Sequence, residues 1–346
     1  MLRRYLTIWL ALASGLALWW PSIAMTMGRS EPGWDPFTAG RHSIAIAVVL
    51  TMFCIGALLP PDEVRQLRRQ WASVLFGTAV QYVTMPLLAW LAVSLWGLTG
   101  DVRIGVLLVG CVPGAMASNV LTMAARGNVS YSVGLTTSAT LLSPLVVPVA
   151  LMLTGGGSIP PEKLQQVSLD LLWMVVLPIL LGFGVCRLSV SARRFLNTVG
   201  ETVANLAILW IIASVVGRQR TYLREAGSGD VLATMGLALL AVNLLGYVIG
   251  YFGGRSVGLD ERRRRALTIE VGMQNAGVGT QLAIAVLGAS SPATVPTAMY
   301  TFGCMLTGTM LAQWFGRGGQ DSSTESEKAE AAADHPSMSP TVDTDV

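Results

Sequence analysis

What most constrains this chain is a succession of apolar stretches, each long enough to cross hydrocarbon, with short polar connections between them. A helix needs about 20 mostly apolar residues to span a bilayer. Such runs fall at approximately 5–24, 42–60, 71–97, 103–125, 129–153, 168–188, 199–217, 231–254, 262–288 and 292–315. Only 12% of the 346 residues are charged and 52% are hydrophobic, whereas soluble domains carry about a quarter charged. The pattern predicts an all-α polytopic membrane protein with ten transmembrane helices and little soluble domain. The first run follows "MLRRY" like a signal peptide, but its length and the interfacial pair Trp19 and Trp20 predict a retained helix.

Basic residues set the orientation. With the N-terminus inside, the cytoplasmic segments hold Arg3, Arg4, Arg65, Arg68, Arg69, Arg126, Arg187, Arg193, Arg194, Arg255, Arg262, Arg263, Arg264, Arg265, Arg317 and Lys328, 16 of the 23 Lys and Arg. Arg29, Arg41, Arg103, Lys163, Arg218, Arg220 and Arg224 fall outside, and the last three form the one local violation. Both termini are therefore expected in the cytoplasm, the chain being a multi-pass protein of the cell inner (plasma) membrane. "DERRRR" (260–265) reads first as a topology signal, and Trp314 as an interface anchor. Residues 317–346, polar and with seven acids, are expected to form a disordered cytoplasmic tail after a transmembrane domain of residues 1–316. Cys54, Cys111, Cys186 and Cys304 lie far apart in apolar runs and read as small fillers. Two histidines, His42 and His335, leave little for imidazole chemistry.

Two of the runs look broken. The fourth, "IGVLLVGCVPGAMASNVLTMAARG", contains Pro113, which lacks a donor, then Gly114 and the polar pair Ser118 and Asn119. The ninth, "RRRRALTIEVGMQNAGVGTQLAIAVLG", places Glu270, Gln274 and Asn275 among Gly272, Gly277 and Gly279. Each is the fourth of a set of five, and an odd number of passages per half inverts one half relative to the other. Paired interruptions at matching positions point to a transporter site between inverted repeats, here about 1–155 and 165–316.

Depth supports one shared site. Glu270 lies about 12 Å from the cytoplasmic end of its run, Asn119 about 11 Å and Gln81 about 15 Å at 1.5 Å per residue. Ser132 and Thr136 share a helix face slightly shallower. Glu270 is the only carboxylate read as deep in a run, and no basic residue lies deep enough to pair with it. An unpaired acid there costs at least about 2.5 kcal/mol, so a bound cation or a proton is implied. The oxygen donors around it suit a small hard cation such as sodium; a protonatable Glu270 is the competing reading.

On "PGAMASNVLTMAARGNVSYSVGLTTSATLLSPLVVPV" and "TIEVGMQNAGVG", the chain resembles the bile acid:sodium symporter family over roughly residues 5–316. The resemblance implies ten helices in two inverted five-helix repeats, forming core and panel domains, with helices four and nine unwound and crossing. It implies one sodium site from Ser118, Asn119, Ser132, Thr136 and Glu270. A second is implied from Gln81, Glu270 and Gln274 with the carbonyls of Val271 and Met273. Asn275 is then expected to face substrate. The substrate wall departs from the family's pattern. Ala115 and Met116 stand where a glycine and a threonine are frequent, "GCM" (Gly303, Cys304, Met305) replaces a W-H-N triplet, and Val242 precedes Asn243 in place of H-N. Asn275, Asn119, Ala115, Met116 and Cys304 are the substrate contacts expected, on a wall that favours a bulkier or more apolar organic acid; the methionines read equally as packing changes.

The function expected is a sodium-coupled symporter of an organic anion, working by alternating access with two Na⁺ near the crossover. Its partners are the anion, sodium ions and the lipid bilayer, with no nucleic acid. Competing readings are a proton-coupled or uncoupled carrier and a non-transporting membrane receptor. An enzyme is not expected, because H-E-x-x-H, G-x-S-x-G and a second deep acid are all missing. Gly246 and Gly250 read as close helix packing, and Pro144 and Pro148 as a bend in the fifth run.

Overall fold

A computed structural model describes residues 6–26, 35–40, 42–59, 70–157, 159–226 and 230–333, with side chains as far as Arg317. Of the residues used above for topology and chemistry, Arg3, Arg4, Arg29, Arg41, Arg65, Arg68, Arg69 and His335, and the side chain of Lys328, lie outside that description. The described residues form helices and no strand: α1 (Leu6–Thr26), α2 (Pro36–Ala39), α3 (Ser43–Ala57), α4 (Trp71–Leu95), α5 (Gly100–Cys111), α6 (Ala117–Ala124) and α7 (Val129–Gly155). Then come α8 (Pro161–Leu188), α9 (Val190–Arg218), α10 (Arg220–Ala226), α11 (Asp230–Ser256), α12 (Glu261–Gly272), α13 (Ala276–Leu287) and α14 (Thr294–Ala333). Six of these, α1, α4, α7, α8, α9 and α11, are long and apolar enough to cross a membrane. Leu95, Leu145 and Leu153 are each at least 70% exposed, a surface that suits lipid and not water. The chain is a multi-pass membrane protein.

Helix ends extend past the apolar runs where polar residues cap them. Pro161 opens α8, where its missing donor costs nothing. The Ser189 hydroxyl accepts from the Ala192 amide at the start of α9, so that helix begins nine residues before the apolar run read at 199–217. α14 continues beyond the composition change near Gly316.

Two packing groups emerge. In one, α1, α2, α3, α9 and the second half of α8 pack on one another; in the other, α4 to α7 pack with α11 to α14. The first half of α8 lies against α7, and its second half against α3 and α9. Between these halves, Leu172–Val176 form a π-turn just ahead of Pro178.

Prolines inside the helices leave carbonyls that other groups collect. Pro144 withholds a donor from the Thr140 carbonyl, which accepts instead from the Ser143 hydroxyl at 2.7 Å. Pro148 does the same to the Pro144 carbonyl, and the Ser168 hydroxyl of α8 donates there. Close helix contact rests on glycine. A Cβ on Gly250 would lie 2.9 Å from the Thr268 Cα, so the Gly246–Gly250 face of α11 packs directly on α12. A Cβ on Gly56 would sit 2.0 Å from the Ile179 carbonyl oxygen, and one on Gly182 2.1 Å from that of Phe53.

Gly56→Ala is therefore expected to force α3 and α8 apart at a cost of about 1–3 kcal/mol. It should lower the melting temperature in detergent, while Gly184→Ala, whose added carbon would meet nothing within 4 Å, should leave it unchanged.

Candidate functional site

The site is built on the two interruptions. α5 stops at Cys111, before Pro113, and α6 restarts at Ala117; α12 stops at Gly272 and α13 restarts at Ala276. The extended pieces run antiparallel and bond to each other. The Ala115 amide donates to the Met273 carbonyl at 2.9 Å and the Asn275 amide to the Pro113 carbonyl at 2.8 Å, with Gly114 opposite Gln274. Asn275 also caps α13, its side-chain oxygen accepting from the Val278 amide at 3.3 Å. Behind the second break, the Gly272 carbonyl accepts from the Asn243 amide and the Tyr300 hydroxyl, both at 2.7 Å. Thr307 fixes Asn243 in turn, its hydroxyl donating to the side-chain carbonyl at 2.6 Å.

Glu270, in the last turn of α12, is fully buried. Its carboxylate accepts from the Ser118 hydroxyl at 2.5 Å and the Thr136 hydroxyl at 2.7 Å, joining α6, α7 and α12 at one point. Ser132, one turn before Thr136, accepts from Thr122 at 3.2 Å and is also buried. Gly114 fits between these groups because it has no side chain: a Cβ there would lie 2.1 Å from Glu270 Oε1 and 3.3 Å from Gln81 Nε2.

On the other side of Gly114, Gln81 Nε2 donates to the Gln274 side-chain oxygen at 3.3 Å, and Gln274 Nε2 to the Val271 carbonyl at 3.2 Å. The Met273 carbonyl is the one that receives Ala115. Two acceptors in this region, Asn119 Oδ1 and Gln81 Oε1, are buried without a hydrogen-bond partner. Each such vacancy costs about 1–3 kcal/mol unless a donor or cation meets it. No cluster of three or more His, Cys, Asp or Glu side chains exists among the described residues. The donor set is hydroxyl, amide oxygen, carbonyl and one carboxylate.

A cavity of about 510 Å³ lies between the two packing groups and reaches the crossing. Asn275, Asn119, Ala115, Met116 and Cys304 all line it, as do Met305 and Gln274. Asn197, Glu201 and Asn205 of α9 line it too, at i, i+4 and i+8. Sequence reading missed all three; Asn197 and Glu201 sit before or at the edge of the apolar run read at 199–217, and Asn205 lies within it. It also missed Tyr300, and gave Asn243 no role at the break.

The pattern of the family described as Sodium Bile acid symporter family matches residues 45–226, more than half of the chain. The chain belongs to that family. A Bacillus subtilis relative, named as the uncharacterized sodium-dependent transporter YocS, is 33% identical over 299 residues, covering 86% of this chain and 90% of its own. An Arabidopsis thaliana protein, the probable sodium/metabolite cotransporter BASS1 of chloroplasts, is 29% identical over 294 residues, 85% of this chain and 71% of its own. The mouse sodium/bile acid cotransporter 4 is 25% identical over 279 residues, 79% of this chain and 62% of its own. Membership of the sodium bile acid symporter family makes this a membrane transporter and not an enzyme.

Gly114→Ala should displace the Glu270 carboxylate while leaving both helix breaks in place. The expected outcome is a melting temperature below the parent's, at a cost of about 1–3 kcal/mol, and, on the sodium reading proposed below, a response to added sodium that falls at least about tenfold, equivalent to 1.4 kcal/mol. Titrations followed by differential scanning fluorimetry would measure it.

Proposed function

We propose that this family member is a sodium-coupled symporter of an organic anion, with two Na⁺ bound beside the helix crossing. Joining α5 to α6 and α12 to α13 across their breaks gives ten passages, in two inverted sets of five. On this reading the two packing groups are the core and the panel, and both termini face the cytoplasm of the inner membrane. One ion is held by Ser118, Asn119, Ser132, Thr136 and Glu270; the other by Gln81, Glu270, Gln274 and the carbonyls of Val271 and Met273.

The observation that carries this reading is a fully buried Glu270 flanked by two unpartnered buried acceptors, Asn119 Oδ1 and Gln81 Oε1, one for each ion set. A sodium ion on each side offsets the carboxylate charge and gives each orphan oxygen a partner. The hydroxyls of Ser118 and Thr136, now donating to Glu270, would turn lone pairs toward the ion instead.

The substrate lies in the cavity between the groups. Among the described residues no Lys, Arg or His side chain lines it, so those that face an anion there are neutral donors. The side-chain amides of Asn119 and Asn275 and the N-terminal turns of α6 and α13, which border the cavity, supply them. Met116, Met305, Met52 and Ile212 form an apolar part of the wall, which suits an organic acid with a hydrophobic body, while Asn197, Glu201 and Asn205 line its α9 side. Asn275 has one amide nitrogen to offer while its oxygen caps α13. Two Na⁺ moving with one monoanion carry one net charge, worth about 2.3 kcal/mol per 100 mV in addition to the sodium gradient.

Sodium at about 100 times its Kd should stabilise the purified protein by about 2.7 kcal/mol. Potassium should not, and Glu270→Ala should lose the effect. Stabilisation that is equal in sodium and potassium but reproduced by acidification would transfer the role of the ion to a proton at Glu270. Uptake into vesicles, with the membrane potential clamped at two values, then checks the net charge moved.

A further inference from the structure

The sequence places Arg218 and Arg220 on the wrong side of the membrane for their charge, and the structure gives both an occupation. The Arg218 guanidinium donates to the Gly40 carbonyl at 2.8 Å. Arg220 donates to the Ala17 carbonyl at 2.6 Å and forms an ion pair with Asp35. These contacts pin the end of α9 to α1 and α2, inside one packing group. Gln219, between the two arginines and 3% exposed, points the other way. Its side-chain nitrogen donates 2.9 Å to the Ser291 carbonyl, in the turn between α13 and α14 of the opposite group. The Ser291 hydroxyl in turn donates 2.7 Å to Asp101 at the start of α5.

Below this contact the two groups stay close but are poorly satisfied. Ile211 of α9 meets α13 at Gly277, where a Cβ would lie 3.5 Å from Ile211 Cδ1. Gln219 meets Ser291 farther along both chains, so α9 and α13 run in the same direction, with Ser214 and Gln281 at intermediate levels. Ser214 Oγ and Gln281 Oε1 are both buried and have no partner. The cavity reaches Ile211, Ile212 and Gly277 but neither of these residues. Ser214 and Gln281 sit on the two facing helices α9 and α13, and a buried polar atom without a partner favours a state in which water reaches it.

We infer that Gln219 is a positioning residue of the transport cycle, latching the end of the cavity remote from Asn197 and Glu201 through Ser291 and Asp101. This inference rests on the transport reading for its purpose, though not for its geometry. Arg218 and Arg220 are its anchor, fixing the residues on either side of Gln219 to α1 and α2. The latch is one neutral hydrogen bond, weak enough to break in each cycle. The unsatisfied Ser214 and Gln281 supply the opposing tendency, so that neither state of this face dominates completely.

The test uses the full chain in nanodiscs with Ser214→Cys as a near-isosteric reporter, alkylated by a soluble maleimide and mapped by mass spectrometry. Adding Gln219→Ala should raise the alkylation rate at position 214 about tenfold, and Ser291→Ala, which frees the turn from Asp101, about threefold, as expected for losing part of one buried hydrogen bond. Native Cys111, fully buried in the other group, is the internal control. An unchanged rate at position 214 in both variants overturns the latch. So does a rate that rises equally at Cys111, because that is general loosening. If Gln219→Ala does not fold, Ser291→Ala decides by the same two criteria. The readout needs neither sodium nor substrate: a rate at 214 that rises in the variants, while the parent takes up nothing with sodium, would leave the latch standing and remove the symport reading.

Discussion

The backbone at residues 112–116 and 273–275 leaves the helix where lipid offers no replacement partner, and the two segments answer by bonding to each other. The pair of bonds from Ala115 to Met273 and from Asn275 to Pro113 makes each break conditional on the other. From that crossing the rest follows. Gly114 must lack a side chain because Glu270 occupies the space. Asn243 and Tyr300 must stand behind Gly272 because its carbonyl has lost its helical donor. Ser118 and Asn119 arrive in the first turn of a helix that starts at the crossing, close enough to meet α7 and α12. A straight α5–α6 helix would carry the same side chains to other places.

The chemistry that results is asymmetric across the crossing. Around Glu270, buried hydroxyls converge on one carboxylate, and no basic side chain among the described residues pairs with it. On the cavity side, amides and helix starts face a space whose wall is largely methionine, leucine and isoleucine, with Asn197, Glu201 and Asn205 along α9. On the proposed reading, a cation on one side of a thin backbone ladder and an anion on the other would stabilise each other over a short distance in a low dielectric. The ladder thus serves as both partition and contact.

Much of this was readable from residue types alone. Burying a carboxylate is so costly that Glu270, with no deep basic residue to pair it, pointed to a site before any geometry was known. Pro113 and the glycines of the ninth run marked the interruptions because the backbone physics of those residues is local. Met116 and Cys304, singled out as departures from the family's pattern, border the cavity. Other parts were not legible. Counting apolar runs discards polar helix ends, and so it passed over Asn197, Glu201 and the long start of α9. Arg218 and Arg220 looked like a topological error because their partners are a carbonyl of α1, a carbonyl after α2 and the side chain of Asp35, contacts that only the tertiary packing creates. Which carbonyl a break would free, and hence why Asn243 matters, also depends on that packing.

The π-turn of α8 has a bearing on how such a molecule can move. This helix is stapled to α7 along its first half, where Ser168 collects the carbonyl that Pro148 leaves free, and it lies on α3 and α9 along its second. One continuous rod is therefore shared between two bodies. A shift of one body against the other has to be absorbed as bending of that rod. The wide turn at 172–176, followed by a proline at 178 that cannot donate to the carbonyl of Met174, has the least hydrogen bonding to lose there. The rod is most compliant at the point where its allegiance changes, as a flexure placed at a joint would be.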